Sequence, residues 1–241
     1  MARLFRMLIV AGLLSVLAVS TASAQWSDNL DGYANQAAFD AVWVNDGSAM
    51  TLVQDKSYSS PNAAYQGTGG QRSRRAIGTN IAADQLDFSV WFYDPMGTGS
   101  LARTYAQLYA YSGGWGATLQ ELLAIGKYNA IATSKYSARV AFGAGWFNLD
   151  GAANRSVGWH LAEIVGKGNG TVDFKIDGTV GANKPVGAVN FTWVALGSNL
   201  SSSHGMWYDD VSIHPVPEPS SLLALGTGLI GMVGLLRRRR I

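Results

Sequence analysis

Tyr105, Tyr109 and Tyr111 sit at even spacing, so a strand presents all three on one face. Phenol rings on such a face can stack on sugar rings, burying apolar C–H surface while the hydroxyls stay wet. Aromatics also favour strands simply because they pack well there. Arg72, Arg74 and Arg75 cluster in what reads as a Gly-rich loop. Guanidinium groups pair with carboxylates in a bidentate way, which is the chemistry of an acidic-polysaccharide contact; a solvated loop is the plainer reading. His160, His204 and His214 are the candidate bases, and His160 follows Trp159 at a strand start, where a half-buried packing residue is expected. No Cys nucleophile, Gly-x-Ser-x-Gly elbow, His-x-x-x-His pair or P-loop occurs. Glycoside hydrolysis needs two carboxylates. The central region has two glutamates, Glu121 and Glu163, far apart in sequence, and aspartate pairs leave hydrolysis unsupported rather than excluded. No catalytic residue is assigned.

The rest of the chain sets what must position these groups. Its 241 residues are 48% hydrophobic and 11% aromatic, which excludes a largely disordered chain and suits one folded domain. The formal net charge of +2 misleads. Removing Arg3, Arg6 and Arg237–Arg240 from the 18 basic residues, and Glu218 from the 16 acidic ones, leaves 12 and 15, a net of −3. A nucleic-acid partner needs a basic face, so that class is set aside. With no Cys there is no disulfide, and the core alone must hold the fold.

Period-2 patterning recurs between residues 25 and 215. Leu86, Phe88, Val90 and Phe92 alternate with Asp87, Ser89, Trp91 and Tyr93. Val172, Phe174 and Ile176 alternate with Asp173, Lys175 and Asp177, and Asp177-Gly178 marks a hairpin. Trp159 to Val165 reads as the strand before it. Further strands are expected near 50–54, 63–67, 104–111, 136–142, 189–196 and 206–213, and Leu119 to Ile125 is read as strand despite its helix formers. A short helical turn is expected to begin near Asn35. Many short strands separated by turns imply an all-β, two-sheet antiparallel sandwich.

The two ends read as addresses. Arg3 and Arg6, the apolar Met7–Val19 run and Ala22-Ser23-Ala24 form a signal helix over residues 1–24, so the sandwich domain is expected over 25–214. Pro217-Glu218-Pro219 precedes the uncharged segment Ser220–Leu236 and the cluster Arg237-Arg238-Arg239-Arg240. Seventeen helical residues span about 25 Å, close to a bilayer core, and the arginines should remain cytoplasmic. This tripartite tail over 215–241, with a transmembrane segment at 220–236, resembles the PEP-CTERM sorting signal of Gram-negative bacteria. The resemblance implies transport through the inner membrane and transient anchoring there. It implies cutting near Pro217, Glu218 and Pro219 by an exosortase-type membrane protease, and release toward the cell surface or exopolysaccharide matrix.

Gly158-Trp159-His160, Val172 to Gly178, Leu196-Gly197-Ser198 and Tyr208-Asp209-Asp210-Val211 resemble the laminin-G-like or concanavalin-A-like sandwich family, with its jelly-roll architecture. Its glucanase members carry an E-x-D-x-x-E strand motif, which is absent here. The resemblance implies a structural or carbohydrate-binding role, with a glycosidase or lyase as the alternative. Calcium-dependent modules of this architecture place acids from the first and last strands together. That implies a structural Ca²⁺ held by Asp28, Asp31 and one of Asp209 and Asp210. If Val211 and Ile213 face the core, Asp209 shares their side unless a bulge intervenes; these acids alternatively cap turns and keep an edge strand soluble.

Overall fold

A computed structural model describes residues 26–97 and 102–215. In chain order its strands are β1 Trp26–Asp28, β2 Val44–Asn45, β3 Thr51–Val53, β4 Ala63–Gln66, β5 Arg72–Ala82, β6 Leu86–Asp94, β7 Arg103–Tyr111, β8 Leu119–Tyr128, β9 Ser137–Val140, β10 Gly145–Asn148, β11 Gly158–Gly166, β12 Thr171–Ile176, β13 Thr179–Pro185, β14 Asn190–Gly197 and β15 Met206–Pro215. They form the expected two-sheet antiparallel sandwich. The first sheet runs β13-β12-β11-β6-β15-β4-β3, with β1 also paired to β15, and the second runs β10-β9-β8-β7-β14-β5-β2.

Alternation builds the core. Leu86, Phe88, Val90 and Phe92 of β6 are buried, and the residues between them face away from it. Leu108 and Ala110 of β7, Leu123 and Ile125 of β8, and Val194 and Leu196 of β14 meet them from the second sheet. The Asp-Gly hairpin forms as expected: Asp177 and Gly178 have φ of 51° and 75°, the two positive angles of a tight primed turn. The short helix is α1, Gln36–Val42, capped by the Asn35 side chain accepting from Ala38 N at 3.0 Å. It buries Phe39, and Trp43 just beyond it, against the core.

Two expectations need correction. Arg72, Arg74 and Arg75 are not in a loop; they lie on β5, paired to β14. The run has no apolar alternation, because its inward positions are Ser73, Arg75, Ile77 and Ile81. Asp209 does not share the side of Val211. The pairing of β15 with β6 shifts between Asp209 and Ser212, and Asp210 takes φ 44°. This bulge lets both Tyr208 and Val211 reach the core while Asp209 faces outward beside Trp91.

Candidate functional site

The outer face of the second sheet collects the chemistry. Residues opposite one another on neighbouring strands share a face. Tyr109 of β7 is flanked by Trp193 of β14 and Leu122 of β8. Gln107 lies between Ala195 and Ala124, and beyond these come Arg74 of β5 and Arg139 of β9. Arg139 in turn faces Trp146 of β10. The face therefore has small residues near its middle, aromatic rings around them and arginines on both sides.

The β7–β8 hairpin closes with Ser112 N donating to Thr118 O at 3.0 Å. It carries Trp115 back over the sheet, 4.8 Å from the Tyr109 ring centre, 5.3 Å from Tyr111 and 5.6 Å from Trp193. Tyr109 and Tyr111 stack in parallel at 5.6 Å, and Tyr128 stacks on Trp146 at 4.4 Å. Three guanidinium groups lie on these rings: Arg72 5.6 Å from Trp115, Arg74 4.6 Å from Trp115 and 5.3 Å from Trp193, and Arg139 5.8 Å from Trp146.

All three tyrosines singled out in the sequence join this cluster, in unequal states. Tyr105 and Tyr109 are 6% and 4% exposed, under Trp146 and Trp115. Tyr111 stays half-buried, as do Trp115, Trp146 and Trp193. Stacking on a ligand therefore falls to the tryptophans and Tyr111, with Tyr105 and Tyr109 as their floor. Burial raises the Tyr109 phenol, against the pull of the Arg72 charge, so it stays a neutral donor. Arg72 pairs with Asp46 and donates to the Tyr109 hydroxyl at 2.7 Å. Arg75 points elsewhere: it pairs with Asp28 at 2.6 Å and lies over Trp26.

The outer face of the first sheet carries a second row, Trp159, Tyr93, Trp207 and Tyr65, on β11, β6, β15 and β4. Here the β3–β4 loop already covers the rings. Tyr58 stacks on Trp91 at 3.7 Å, and Lys56 sits over Tyr93 and Trp207. The Asp209 carboxylate pins that loop, accepting from Tyr58 N at 2.8 Å and Ser59 N at 3.1 Å, while Asp210 accepts from the Ser59 hydroxyl.

Burial pushes the Asp209 carboxyl up to about 7 from 3.8, overcoming those backbone donors. Between these values the folded chain keeps a proton that the unfolded chain has lost. Stability from this group is therefore full below about pH 4 and is lost as pH rises through 7, by at most about 1.4 kcal/mol per pH unit. Asp209→Asn retains an acceptor oxygen and should flatten this slope. Melting curves between pH 4 and 8 check it; an equally steep slope in the variant would refute the assignment.

The four acids proposed for calcium are used by the protein's own donors. Asp28 accepts from Tyr33, Trp43 and Arg75, and Asp31 accepts from Asn62 N. Among the described residues no group of three His, Asp, Glu or Cys could hold a metal ion. Glu121 accepts from Leu122 N and Phe142 N, whereas Glu163 faces Lys175 on the other sheet, so they do not form a carboxylate pair. The depression lined by Ala82, Asp84, Gly170, Val186 and Asn190 holds one carboxylate.

A constellation that the sequence did not reveal joins Ser156, His160 and Asp177. His160 Nδ1 lies 2.8 Å from Asp177 Oδ2, and Nε2 lies 3.2 Å from Ser156 Oγ. Yet Nε2 is closer, at 3.0 Å, to the Ser156 carbonyl oxygen, which can only accept. With its proton on Nε2 the ring donates there and clamps the chain before β11. His204 is held largely inside the fold, where burial lowers its basicity, and His214 lies in β15 opposite Asp87.

The chain matches the PEP-CTERM protein-sorting motif over residues 215–240. Pro217, Glu218, Pro219, the segment 220–236, Arg237–Arg240 and the signal segment 1–24 lie outside the described residues. Among the described residues no helix is long and apolar enough to cross a membrane. No curated protein sequence matches the chain. Among solved structures it is similar to the cellulose induced protein Cip1, with a TM-score of 0.55 and 14% identity over 78% of this chain and 96% of that one. It is also similar to the carbohydrate esterase vb_24B_21 of the Shiga toxin-encoding bacteriophage phi24B, with a TM-score of 0.55 and 13% identity over 81% and 99%. At such identities the likeness is one of fold, which hosts many functions.

Proposed function

We propose that this is an exported, non-enzymatic polysaccharide-binding protein of the cell surface or extracellular matrix. The observation that carries the binding reading is the outer face of the second sheet, where Tyr111, Trp115, Trp146 and Trp193 remain half-buried over a floor that includes Tyr105 and Tyr109. Rings in that state offer apolar faces to sugar C–H groups without having to unpack the core. The sorting motif supports the address: an exosortase-type membrane protease would act near Pro217-Glu218-Pro219 after passage through the inner membrane. The sandwich is taken to span 25–214, between a signal segment and the sorting tail with its transmembrane segment. This reading does not require the structural Ca²⁺ expected on Asp28, Asp31 and one of Asp209 and Asp210.

The full chain, kept in mild detergent, should bind immobilised polysaccharides on a glycan array. Trp115→Ala and Trp193→Ala should each weaken binding about tenfold or more, as expected for loss of one stacking ring, with little change in melting temperature. Wild-type binding by both variants would place the site elsewhere. The bound polymers should release neither reducing ends nor acyl groups on incubation. Sustained release that disappears in Ser156→Ala would instead favour the esterase chemistry named for the phage protein of the same fold.

A further inference from the structure

We infer that the ligand of this face is an anionic polysaccharide, recognised through its carboxylate or sulfate groups by Arg74 and Arg139. The inference rests on the carbohydrate reading above and adds the charge class. Arg74 and Arg139 have no carboxylate partner among the described residues, and Arg72 has one, Asp46. The central region is net acidic, so unpaired arginines on one face mark a local reversal of charge.

A second observation comes from hydrogen bonding. The Nε atoms of Arg72, Arg74 and Arg139 are all buried and lack an acceptor among the described residues. A buried donor without a partner costs about 1–3 kcal/mol, and here the same defect occurs on three guanidinium groups of one face. These Nε atoms are closed to solvent, so a carboxylate or sulfate group would meet Arg74 and Arg139 through their Nη groups. Contact of Arg74 with Trp115 and Trp193, and of Arg139 with Trp146, leaves these side chains less rotamer freedom to lose on binding. The rings and forks together suit a sugar chain with apolar faces and a negative charge on its rim.

The test compares four polymers on the full chain: polygalacturonate, its methyl ester, dextran sulfate and neutral dextran. Polygalacturonate or dextran sulfate should bind about tenfold or more tightly than the methyl ester and the neutral dextran, and the advantage should shrink with added salt. Preference for the first assigns the anion as a uronate carboxylate, and preference for the second as a sulfate ester. Arg74→Gln and Arg139→Gln should each remove most of that advantage. Arg74→Lys, which keeps the charge but not the fork, should fall between, and Lys184→Gln on the other sheet should bind as wild type. Equal binding of the ester and the acid, or an unchanged preference in folded Arg74→Gln and Arg139→Gln variants, overturns the charge inference and leaves the carbohydrate reading intact. Binding to none of the four polymers, and to no glycan on the array, overturns both.

Discussion

Replacing Arg155 by Met should destabilise the sandwich by about 3–5 kcal/mol, because it leaves one buried charge without its partner. The Arg155 and Asp94 side chains are both 0% exposed, 2.8 Å apart. Arg155 Nε also donates to the same carboxylate oxygen at 2.9 Å, and Nη1 donates to Thr133 O. The other Asp94 oxygen accepts from Met96 N and Gly97 N, so this pair ties the end of β6 to the segment before β11 and to the 129–136 loop. For a chain of this size the loss should lower the melting temperature by about 10 °C. Adding Asp94→Asn to the same chain should recover part of it. The amide still accepts from Met96 and Gly97, and no uncompensated charge remains. A single variant that melts within a degree or two of wild type would show that the pair contributes nothing net.

Tyr109→Ala should cost a comparable amount, about 3–5 kcal/mol, the usual range for truncating a buried aromatic. Its ring supports Tyr111 and Trp115, and its hydroxyl accepts from Arg72. Polysaccharide binding should be lost with it, since Trp115 loses its seat. Tyr109→Phe separates the two effects: it keeps the ring and strands the Arg72 donor, which should cost about 1–2 kcal/mol while retaining most of the binding. Denaturant unfolding measures the first quantity and array binding the second. If Tyr109→Ala unfolds at the wild-type midpoint, the ring is not a floor for the face.

The parts of the fold that were legible in the sequence are those where each residue reports its own environment. Leu86 to Phe92 alternate because one side of β6 meets the core and the other does not. Asp177-Gly178 announced its turn because only such residues take two positive φ angles cheaply. What escaped depends on a partner far along the chain. The arginines of β5 looked like a loop because Ser73 and Arg75 take inward positions there, and only the pairing with β14 identifies the strand. The bulge at Asp210 adds one residue to β15, which reverses any count of faces made from the far side of it. Asp28 looked available to a cation, and its guanidinium partner is Arg75, 47 residues away. The face itself was half legible: Tyr105, Tyr109 and Tyr111 could be placed together by spacing. Trp115 is brought over them by the β7–β8 turn, and Arg139, Trp146 and Trp193 are joined to them only by strand order.

The position of β15 has a mechanical consequence. Met206–Tyr208 of it pair with β4 and Val211–Ile213 with β1 on one edge, and the other edge pairs with β6 through to Pro215. A pull applied at Pro215, where the sorting motif begins, would therefore load a strand that is bonded along both edges. With the pull along the strand axis, those bonds bear it together in shear instead of breaking one after another, as they would when a strand is peeled from a free edge. Because β1 grips Val211–Ile213 beside that point, the first strand of the sandwich shares the load with the last.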